Sequence, residues 1–529
     1  MKKHILFLLI IFSNSYFFYA QPNIEWQKCL GGTSDDFPYS IQQTTDGGYI
    51  VAGNTQSNDS DVTGNHGSRD YWIVKLDNSG GIQWQKCLGG SEGEDATSIQ
   101  QTADGGYIVA GNSLSNDGDV IGNHGDYDYW IVKLDSAGGI QWQKCLGGSN
   151  GEGAVSIQQN SDGGYIVSGL SISNDGDVTG NHGGSDFWII KLDSAGGIQW
   201  QKCLGGSDVE VANSIQQTTD GGFIVAGNSL SNDGDVTGNH GDYDYWIVKL
   251  DSTGVIQWQK SLGGTGDDRA HSIQQTSDGG YIVAGRSISN DGDVTGNHGY
   301  YDYWIVKLDS TGDIHWQKCF GGSDSEIPKS IQQTSDGGYI VAGYSNSING
   351  DVTGNHGYFD YWIVKLNSTG VIQWQKLLGG TGVDDSNSIQ QTSDGGYIVA
   401  GFSNSINGDV TGKHGNFDFW IVKLDSSVNV AVTEFQKPSF NFLISPNPFL
   451  TLTTFSFQLT FPNKPTIEIR TTEGRLIKKL VPDNFKIGLN EIIWDATNNL
   501  GSKVNSGIYF ITIISDNFSE TKKVILIRN

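Results

Sequence analysis

The stretch Asp186–Leu204, DFWIIKLDSAGGIQWQKCL, recurs along the chain every 58 residues. It contains two tryptophans, and each of them belongs to a series that keeps this step without a slip. The series are Trp72, Trp130, Trp188, Trp246, Trp304, Trp362 and Trp420, and Trp26, Trp84, Trp142, Trp200, Trp258, Trp316 and Trp374. A fixed period of this size indicates a repeat architecture, with one unit written seven times.

Each unit contains four short strand patterns, which we name a to d in chain order. In the third unit they are Ser156–Gln159, Tyr165–Gly169, Asp186–Leu192 and Ile198–Leu204. These segments are rich in β-branched and aromatic residues, and turns rich in Asp and Gly separate a from b and c from d. No helical periodicity occurs in the repeats. Four strands per unit predict a β-propeller blade.

The two ends of the repeat region predict how the ring closes. The repeats begin with a lone strand d, Ile24–Leu30, and end with a lone strand c, Phe419–Leu424. If these two strands pair, the seventh blade is complete and no sheet edge is left open. The predicted fold class is therefore all-β, a seven-bladed β-propeller closed by an N-terminal strand. The alternatives are a β-helix and a linear array, which would leave both ends uncapped.

Strand order then sorts the connections between two faces. The d-to-a and b-to-c connections share one face, which we call the loop face, and tight turns occupy the other. The d-to-a connection varies between units, as at Ser34–Tyr39, Glu92–Thr97 and Gly266–His271. Near-identical frames with divergent loops are typical of a binding surface, although recently duplicated loops also drift first.

Two turns resemble motifs of known propellers. The segment Lys249–Trp258, KLDSTGVIQW, resembles the tryptophan-docking motif of quinoprotein-type propellers, and the order of strands and glycines also resembles WD-repeat blades. These resemblances imply that Trp84 and its equivalents pack between blades as core residues. The turn Thr276–Gly280 is similar to the Asp-box of sialidase-type propellers, where such turns are structural.

The loop between strands b and c has the sharpest chemical pattern. In the second unit it runs from Asp117 to Asp128 as DGDVIGNHGDYD. Oxygen ligands at positions 1 and 3, glycine at 6 and a carboxylate at 12 match the spacing of an EF-hand calcium loop. The loops also look somewhat like the calcium loops of integrin-type propellers. The predicted Ca²⁺ ligands are Asp59, Asp61, Asp70, Asp117, Asp119, Asp128, Asp175, Asp177, Asp186, Asp233, Asp235, Asp244, Asp291, Asp293 and Asp302.

Three departures weaken the calcium match. Position 5 is threonine, or Ile121 in the second unit, and position 12 is aspartate, which reaches less far than glutamate. Units six and seven carry Asn349 and Asn407 at position 1. The alternative is a set of polar turns whose side chains bond their own backbone. No other cofactor is predicted.

Histidines and aromatic residues close the same loop. A histidine recurs in each copy, as at His124, and we expect it to hydrogen-bond within its own loop, because no second His or Cys lies at ligand spacing. The aromatic residues before strand c are candidates for a rim that binds sugar or protein, or are simply the entry to the strand. They are Tyr127, Tyr243, Tyr300, Tyr301, Tyr358 and Phe359.

Composition restricts the partners. The chain has 529 residues and a net charge of -26, while residues 431–529 hold 11 Lys/Arg against 8 Asp/Glu. The acidity therefore lies in the repeats, which argues against nucleic acid or an anionic membrane as partner. The five cysteines occupy one slot of the repeat, which also holds Ser261 and Leu377. We interpret them as buried fillers, not crosslinks.

Residues 1–20 have the pattern of a secretory signal peptide. Lys2 and Lys3 precede an apolar run, Ile5–Phe12, that is too short to span a bilayer. Ala20 is the expected residue before cleavage. No later segment is long and apolar enough to predict a transmembrane helix.

The repeat ends near residue 430, and residues 442–529 alternate as short strands that suggest a small Ig-like sandwich. This segment resembles the type A C-terminal sorting domain of the Bacteroidetes type IX secretion system. The resemblance lies in Ser445–Phe449, Glu473–Leu476, Gly488–Asp495 and Ser506–Phe510, in that order. It implies export, handling by the type IX machinery, and release or surface attachment. The predicted domains are 1–20, 21–428, a linker at 429–441, and 442–529.

These features predict the class of function but not the ligand. We predict a secreted or cell-surface propeller that binds a glycan or a protein. No blade carries a unique set of carboxylates, so no catalytic residue is assigned and an enzyme is the less favoured class. The alternatives are a hydrolase of extracellular polysaccharide and a structural component of a surface layer.

Overall fold

The computed structural model describes residues 21–426, 442–459, 466–480, 488–515 and 518–528. The predicted signal peptide and the predicted linker at 429–441 lie outside these residues. Contacts divide the chain into two compact units, Met1–Asn429 and Val430–Asn529. The described residues form strands and turns, and no helix occurs among them.

The first unit contains seven four-stranded antiparallel sheets, and each sheet is one blade. Blades 1 to 3 comprise β2 (Asp36–Gln43), β3 (Tyr49–Thr55), β4 (Asp70–Leu76) and β5 (Ile82–Leu88); β6 (Glu94–Gln101), β7 (Tyr107–Ser113), β8 (Asp128–Leu134) and β9 (Ile140–Leu146); and β10 (Glu152–Gln159), β11 (Tyr165–Ser171), β12 (Asp186–Leu192) and β13 (Ile198–Leu204). Blades 4 to 6 comprise β14 (Glu210–Gln217), β15 (Phe223–Ser229), β16 (Asp244–Leu250) and β17 (Ile256–Leu262); β18 (Asp268–Gln275), β19 (Tyr281–Ser287), β20 (Asp302–Leu308) and β21 (Ile314–Phe320); and β22 (Glu326–Gln333), β23 (Tyr339–Ser345), β24 (Asp360–Leu366) and β25 (Ile372–Leu378).

The seventh blade contains strands from both ends of the repeat region. It comprises β26 (Asp384–Gln391), β27 (Tyr397–Ser403) and β28 (Asp418–Leu424), with β1 (Ile24–Leu30) as its outer strand. β1 pairs antiparallel with β28, and Lys28 lies opposite Ile421. This blade also packs on the first one, where the rings of Trp72 and Phe419 are 4.5 Å apart. The fold is the predicted seven-bladed propeller with an N-terminal strand in its last blade.

The core of the propeller lies between neighbouring blades. Every residue of strand c is buried, so this strand is covered on both faces. The ring of Trp130, on strand c of blade 2, lies 4.5 Å from that of Tyr71 in blade 1. The Tyr71 hydroxyl donates to the Trp130 carbonyl at 2.9 Å. Each apolar cluster thus joins two blades, which makes every blade depend on its neighbours.

The second tryptophan series is less deeply buried than predicted. Trp84, on strand d, is half-buried and packs against Tyr107 of the next blade at 5.7 Å between ring centroids. Its ring also covers Gly138, where φ is +80° and an added Cβ would lie 3.0 Å from the indole. Trp84 therefore packs between two blades, as the docking motif implies, but the most deeply buried residues lie on strand c.

Strand a is longer than its sequence pattern predicts. In blade 3 it starts at Glu152 instead of Ser156, and its pairing with strand b shifts register between Ala154 and Ser156. The irregularity breaks the alternation of inward and outward side chains, which hides the first half of the strand from a period-two search.

The cysteines are buried and free, in agreement with the prediction.

The second unit consists of two antiparallel sheets. One has the order β29 (Leu443–Ser445), β30 (Thr453–Leu459), β33 (Gly488–Trp494), and the other has the order β32 (Leu476–Leu480), β31 (Thr466–Thr471), β34 (Gly507–Ser515), β35 (Phe518–Leu526). A core of its own includes Phe455, Trp494 and Ile511. In the described residues, no helix has the length and apolar character needed to cross a membrane.

Candidate binding face

A central channel runs between the seven strands a, which are the innermost strands of the blades. It encloses about 250 Å³ and is lined by one Ile-Gln pair from each blade, such as Ile99 and Gln100. Each of these glutamines accepts a hydrogen bond from the backbone of the next blade, as Gln100 Oε1 does from Gln159 N at 2.6 Å. The same bond joins Gln390 of blade 7 to Gln43 N of blade 1. The side-chain oxygens of these glutamines thus link neighbouring blades.

The b-to-c loops are held by their own carboxylates. In blade 2, Asp117 Oδ1 accepts the backbone N–H of Ser91 at 2.8 Å. Asp128 Oδ2 accepts the backbone N–H of His124 at 3.0 Å and lies 2.6 Å from its Nδ1. Each recurring histidine pairs in this way with the last aspartate of its own loop, as predicted. The carboxylates predicted to bind Ca²⁺ therefore also brace the loops.

These carboxylates do not form a metal-binding group in the structure. No cluster of three or more His, Cys, Asp or Glu side chains is placed to hold a metal ion within the described ranges. Burial raises the pKa of Asp128 to about 6, against the hydrogen bonds from His124. Its Oδ1 is buried and has no hydrogen-bond partner. One oxygen of the last aspartate in most loops thus stays available to a proton or a cation.

The differences between the blades are concentrated around the loop-face opening of the channel. We call this opening the mouth and define it by four positions: the second and fourth residues of strand a, the sixth residue of strand b, and the residue before strand c. In blade order they are Phe37, Asp95, Gly153, Val211, Arg269, Ile327 and Asp385; Tyr39, Thr97, Val155, Asn213, His271, Lys329 and Asn387; Asn54, Asn112, Leu170, Asn228, Arg286, Tyr344 and Phe402; and Arg69, Tyr127, Ser185, Tyr243, Tyr301, Phe359 and Phe417.

Side chains from several blades meet at the mouth. Burial raises the pKa of Tyr39 in blade 1 to about 12, and the carboxylates of Asp95 in blade 2 and Asp385 in blade 7 raise it as well. The rings of Phe37 and Phe402, from blades 1 and 7, lie 4.9 Å apart. The frame therefore brings together residues that are far apart in the sequence.

Four of the six aromatic residues predicted to bind a ligand are mouth residues: Tyr127, Tyr243, Tyr301 and Phe359. The other two, Tyr300 and Tyr358, precede the mouth positions and are 54% and 63% exposed, so their rings are open to solvent. Each of them packs edge-on against its neighbour, at 4.6 Å for Tyr300 and 4.5 Å for Tyr358. Their role in ligand binding stays a prediction.

Blades 4 and 5 hold a charged network at the mouth. Asp267 Oδ1 accepts Arg269 Nε at 2.6 Å, and its Oδ2 accepts a terminal N–H of Arg286 at 3.0 Å and the Tyr301 hydroxyl at 2.9 Å. Burial opposes the charge, but these donors hold the pKa of Asp267 below its usual value. The Arg269 guanidinium lies 3.8 Å from the centroid of the Tyr243 ring.

Several buried polar atoms of the mouth have no hydrogen-bond partner within the part of the chain that the structure describes. They are Asn54 Oδ1, Asn228 Nδ2, His271 Nε2, Arg286 Nε and Asp385 Oδ1. Buried polar atoms are almost always hydrogen-bonded, so such a concentration calls for an external partner, water or ligand. Burial also lowers the pKa of His271 well below its usual value, and the neighbouring cations lower it further.

The sequence prediction found part of the mouth. The variable ranges Ser34–Tyr39, Glu92–Thr97 and Gly266–His271 contain mouth positions that lie in strand a in the structure. Arg286 in strand b was not singled out, although its position differs between the seven units when they are aligned with each other.

Comparison with protein families defines the second unit. The described strands of that unit fall within residues 443–527, and this range matches a family of secretion system C-terminal sorting domains. Residues 443–527 are a sorting domain. The protein is therefore handled by the type IX secretion machinery and is secreted or located at the outer cell surface. The sorting domain accounts for about a sixth of the chain and says nothing of what the propeller binds.

Comparisons outside the sorting domain are more distant. The regulatory protein FlaEY of Caulobacter vibrioides is 29% identical over 142 residues, which cover 24% of this chain and 14% of that protein. PorZ, a surface component of the type IX secretion system of Porphyromonas gingivalis, is 11% identical with a TM-score of 0.31, over 91% of this chain and 69% of PorZ. The extracellular domain of BT4673 from B. thetaiotaomicron is 11% identical with a TM-score of 0.41, over 96% and 60%.

Proposed function

We propose that the propeller is an exported binding module that takes a glycan or protein ligand at the mouth of its central channel. One observation carries the proposal. Seven nearly identical blades differ at the positions that surround the mouth, and five buried polar atoms at the same positions have no hydrogen-bond partner among the described residues. A frame that only had to fold or to assemble a surface layer would have no need of this divergence.

The geometry of the mouth suits a binding role. Ligand sites combine a concave surface, aromatic side chains and a few polar groups that fix the orientation of the ligand. The mouth has tyrosines or phenylalanines from every blade except blade 3, and it opens into a channel lined by glutamines. The acidic frame of the propeller also keeps nucleic acid away.

An array of glycans and proteins tests this proposal. The chain starting at Gln21 is labelled and applied with and without calcium. We expect a specific subset of glycans or proteins to retain it. An array without any retained spot, together with turnover of a polysaccharide by the same sample, would replace the binding module with a hydrolase.

One residue favours the hydrolase as second candidate. Burial raises the pKa of Asp385 to about 6, with Lys329 opposing the shift. A glycosidase needs a carboxylic acid of raised pKa that protonates the leaving group. Under this alternative, Asp385→Asn abolishes turnover. No other blade carries asparagine at this position, so the melting temperature of the variant is measured as well, to show that it is folded.

Calcium binding by the b-to-c loops stays a prediction. The unpartnered Oδ1 of Asp128 and its equivalents supports it, since a buried carboxylate oxygen without a donor is a natural cation ligand. We expect heat on calorimetric titration at millimolar calcium and a higher melting temperature. No heat, with melting unchanged by a chelator, would show that the carboxylates serve only as loop braces.

A further inference from the structure

Blades 5 and 6 contribute three cations to the mouth of an acidic protein, besides Arg69 of blade 1 and the carboxylates of Asp95 and Asp385. Arg269, Arg286 and Lys329 come from blades 5 and 6, whereas the chain as a whole has a net charge of -26. Equivalent positions in blade 4 are Val211, Asn228 and Asn213, so the frame does not require basic residues there. Three cations at one opening therefore need an explanation other than folding.

The neighbouring carboxylates do not use up these cations. Asp267 accepts one hydrogen bond from each arginine, and both of its oxygens are then occupied. A guanidinium carries five N–H donors, so most donors of both arginines stay free. Lys329 makes no ion pair among the described residues; it faces the Tyr344 ring, 6.0 Å from its centroid, and its charge opposes the rise in the pKa of Asp385. The cluster thus offers unused donors that carry charge.

Aromatic rings surround the same cations. The Arg286 guanidinium lies over the Tyr301 ring at 4.5 Å, and the rings of Tyr344 and Phe359 are 4.7 Å apart. Exposed rings continue outward at Tyr300 and Tyr358. Cations held against aromatic faces are fixed in place, while the free faces and edges of the outer rings offer apolar surface.

Neutral polar groups complete the site towards the channel. The seven glutamines of the channel use their oxygens in the frame, which leaves their N–H₂ groups as donors in the lining of the channel. His271 lies two residues after Arg269 in strand a of blade 5, and Lys329 is its equivalent in blade 6. The His271 side chain is half-buried, and Nε2 has no hydrogen-bond partner among the described residues. Hydroxyl groups, which both donate and accept, match such a mixed lining.

We propose that the mouth binds an acidic saccharide, with a sugar carboxylate against Arg286, Arg269 and Lys329 and the sugar rings on the surrounding tyrosines. The proposal rests on the proposed binding function and assigns its ligand class. A carboxylate can accept two parallel bonds from a guanidinium, which gives direction as well as attraction. An acidic peptide would pair with the cations but would leave the outer aromatic rings and the glutamines of the channel without contacts.

The test compares three polymers on the chain starting at Gln21. Polygalacturonate carries the carboxylate on a sugar, its methyl ester carries the same sugar without the charge, and poly-glutamate carries the charge without the sugar. We expect calorimetry to show binding of polygalacturonate alone, weakened by added salt. Equal binding of the methyl ester or of poly-glutamate would overturn the assignment of an acidic saccharide.

A substitution taken from the other blades places the ligand at the mouth. Arg286→Asn introduces the residue that blades 1, 2 and 4 carry at this position, so the frame tolerates it. Affinity for polygalacturonate is expected to fall about tenfold or more, as for a lost charge-assisted bond. Lys318→Asn removes one charge from an exposed position on strand d and is the matched control, which should bind like the wild type.

The outcomes separate this inference from the proposed function. Binding of a neutral glycan or a protein, unchanged by Arg286→Asn, would refute the acidic-saccharide site and leave the binding module intact. Binding of no polymer here and of nothing on the array would refute both. Polygalacturonate bound equally well by Arg286→Asn and by wild type would place the acidic ligand elsewhere and overturn the inference.

Discussion

Replacing Trp130 with alanine is expected to lower the free energy of unfolding of the propeller by about 3–5 kcal/mol, as for other large buried aromatic side chains. Trp130 is fully buried and packs against Tyr71 of the preceding blade. Its Nε1 also donates to Gln143 Oε1 at 2.9 Å. The change therefore opens a cavity between two blades and leaves an acceptor unpaired. Chemical denaturation of the chain starting at Gln21, followed by circular dichroism, measures the loss.

Two further substitutions show that burial between blades sets the size of the loss. Trp130→Phe keeps an aromatic ring beside Tyr71 but removes the bond to Gln143, so we expect a smaller loss than for alanine. Trp84→Ala removes a half-buried ring from strand d and should also cost less than Trp130→Ala. A Trp130→Ala protein that unfolds at the wild-type denaturant concentration would contradict the assignment of strand c to the core.

Deleting residues 440–529 is expected to abolish surface delivery and to leave the propeller in the periplasm. The deletion removes the whole segment that matches the sorting domain. Among the described residues, the propeller and the sorting domain each have apolar clusters of their own. The truncated chain should therefore fold and accumulate, and not be degraded. Fractionation and protease accessibility in a host with type IX secretion measure where it is.

The control for this deletion is a change inside the sorting domain that should not affect sorting. Leu500 is 89% exposed, so Leu500→Ala leaves the core of the domain intact and should be delivered like the wild type. Melting of the periplasmic form checks that the truncated propeller is folded. Truncated protein found on the cell surface at the wild-type level would show that the C-terminal segment has no sorting role.

Most of the frame could be predicted from the sequence because each blade repeats the same local pattern. In blade 3, strands c and d run from Asp186 to Leu192 and from Ile198 to Leu204, as predicted. Buried strands of this kind are continuous apolar runs bounded by Asp-Gly turns, and both features are local. In the sorting domain, β29 and β32 are short and have little alternation, so a local pattern does not reveal them.

The site could be predicted only in part, because it depends on contacts between blades. The aromatic residues before strand c are consecutive with a recognisable loop, which is why Tyr301 and Phe359 could be found. Arg269 and Arg286 lie in different strands, and their position opposite each other follows from the a-to-b register. That register includes the irregularity after Ala270, which no local pattern reveals. The depth of each tryptophan likewise depends on the neighbouring blade.

The most direct test of the central claim is ligand binding by a propeller whose blades 5 and 6 carry residues of blade 4 at the mouth. Arg269→Val, His271→Asn, Arg286→Asn and Lys329→Asn together give blades 5 and 6 residues that blade 4 already carries at these mouth positions. The array is then run on this variant and on the wild type, after melting has shown that both are folded. We expect the variant to melt like the wild type and to lose the ligands that the wild type retains. A folded variant with the wild-type array profile would show that recognition lies outside the mouth.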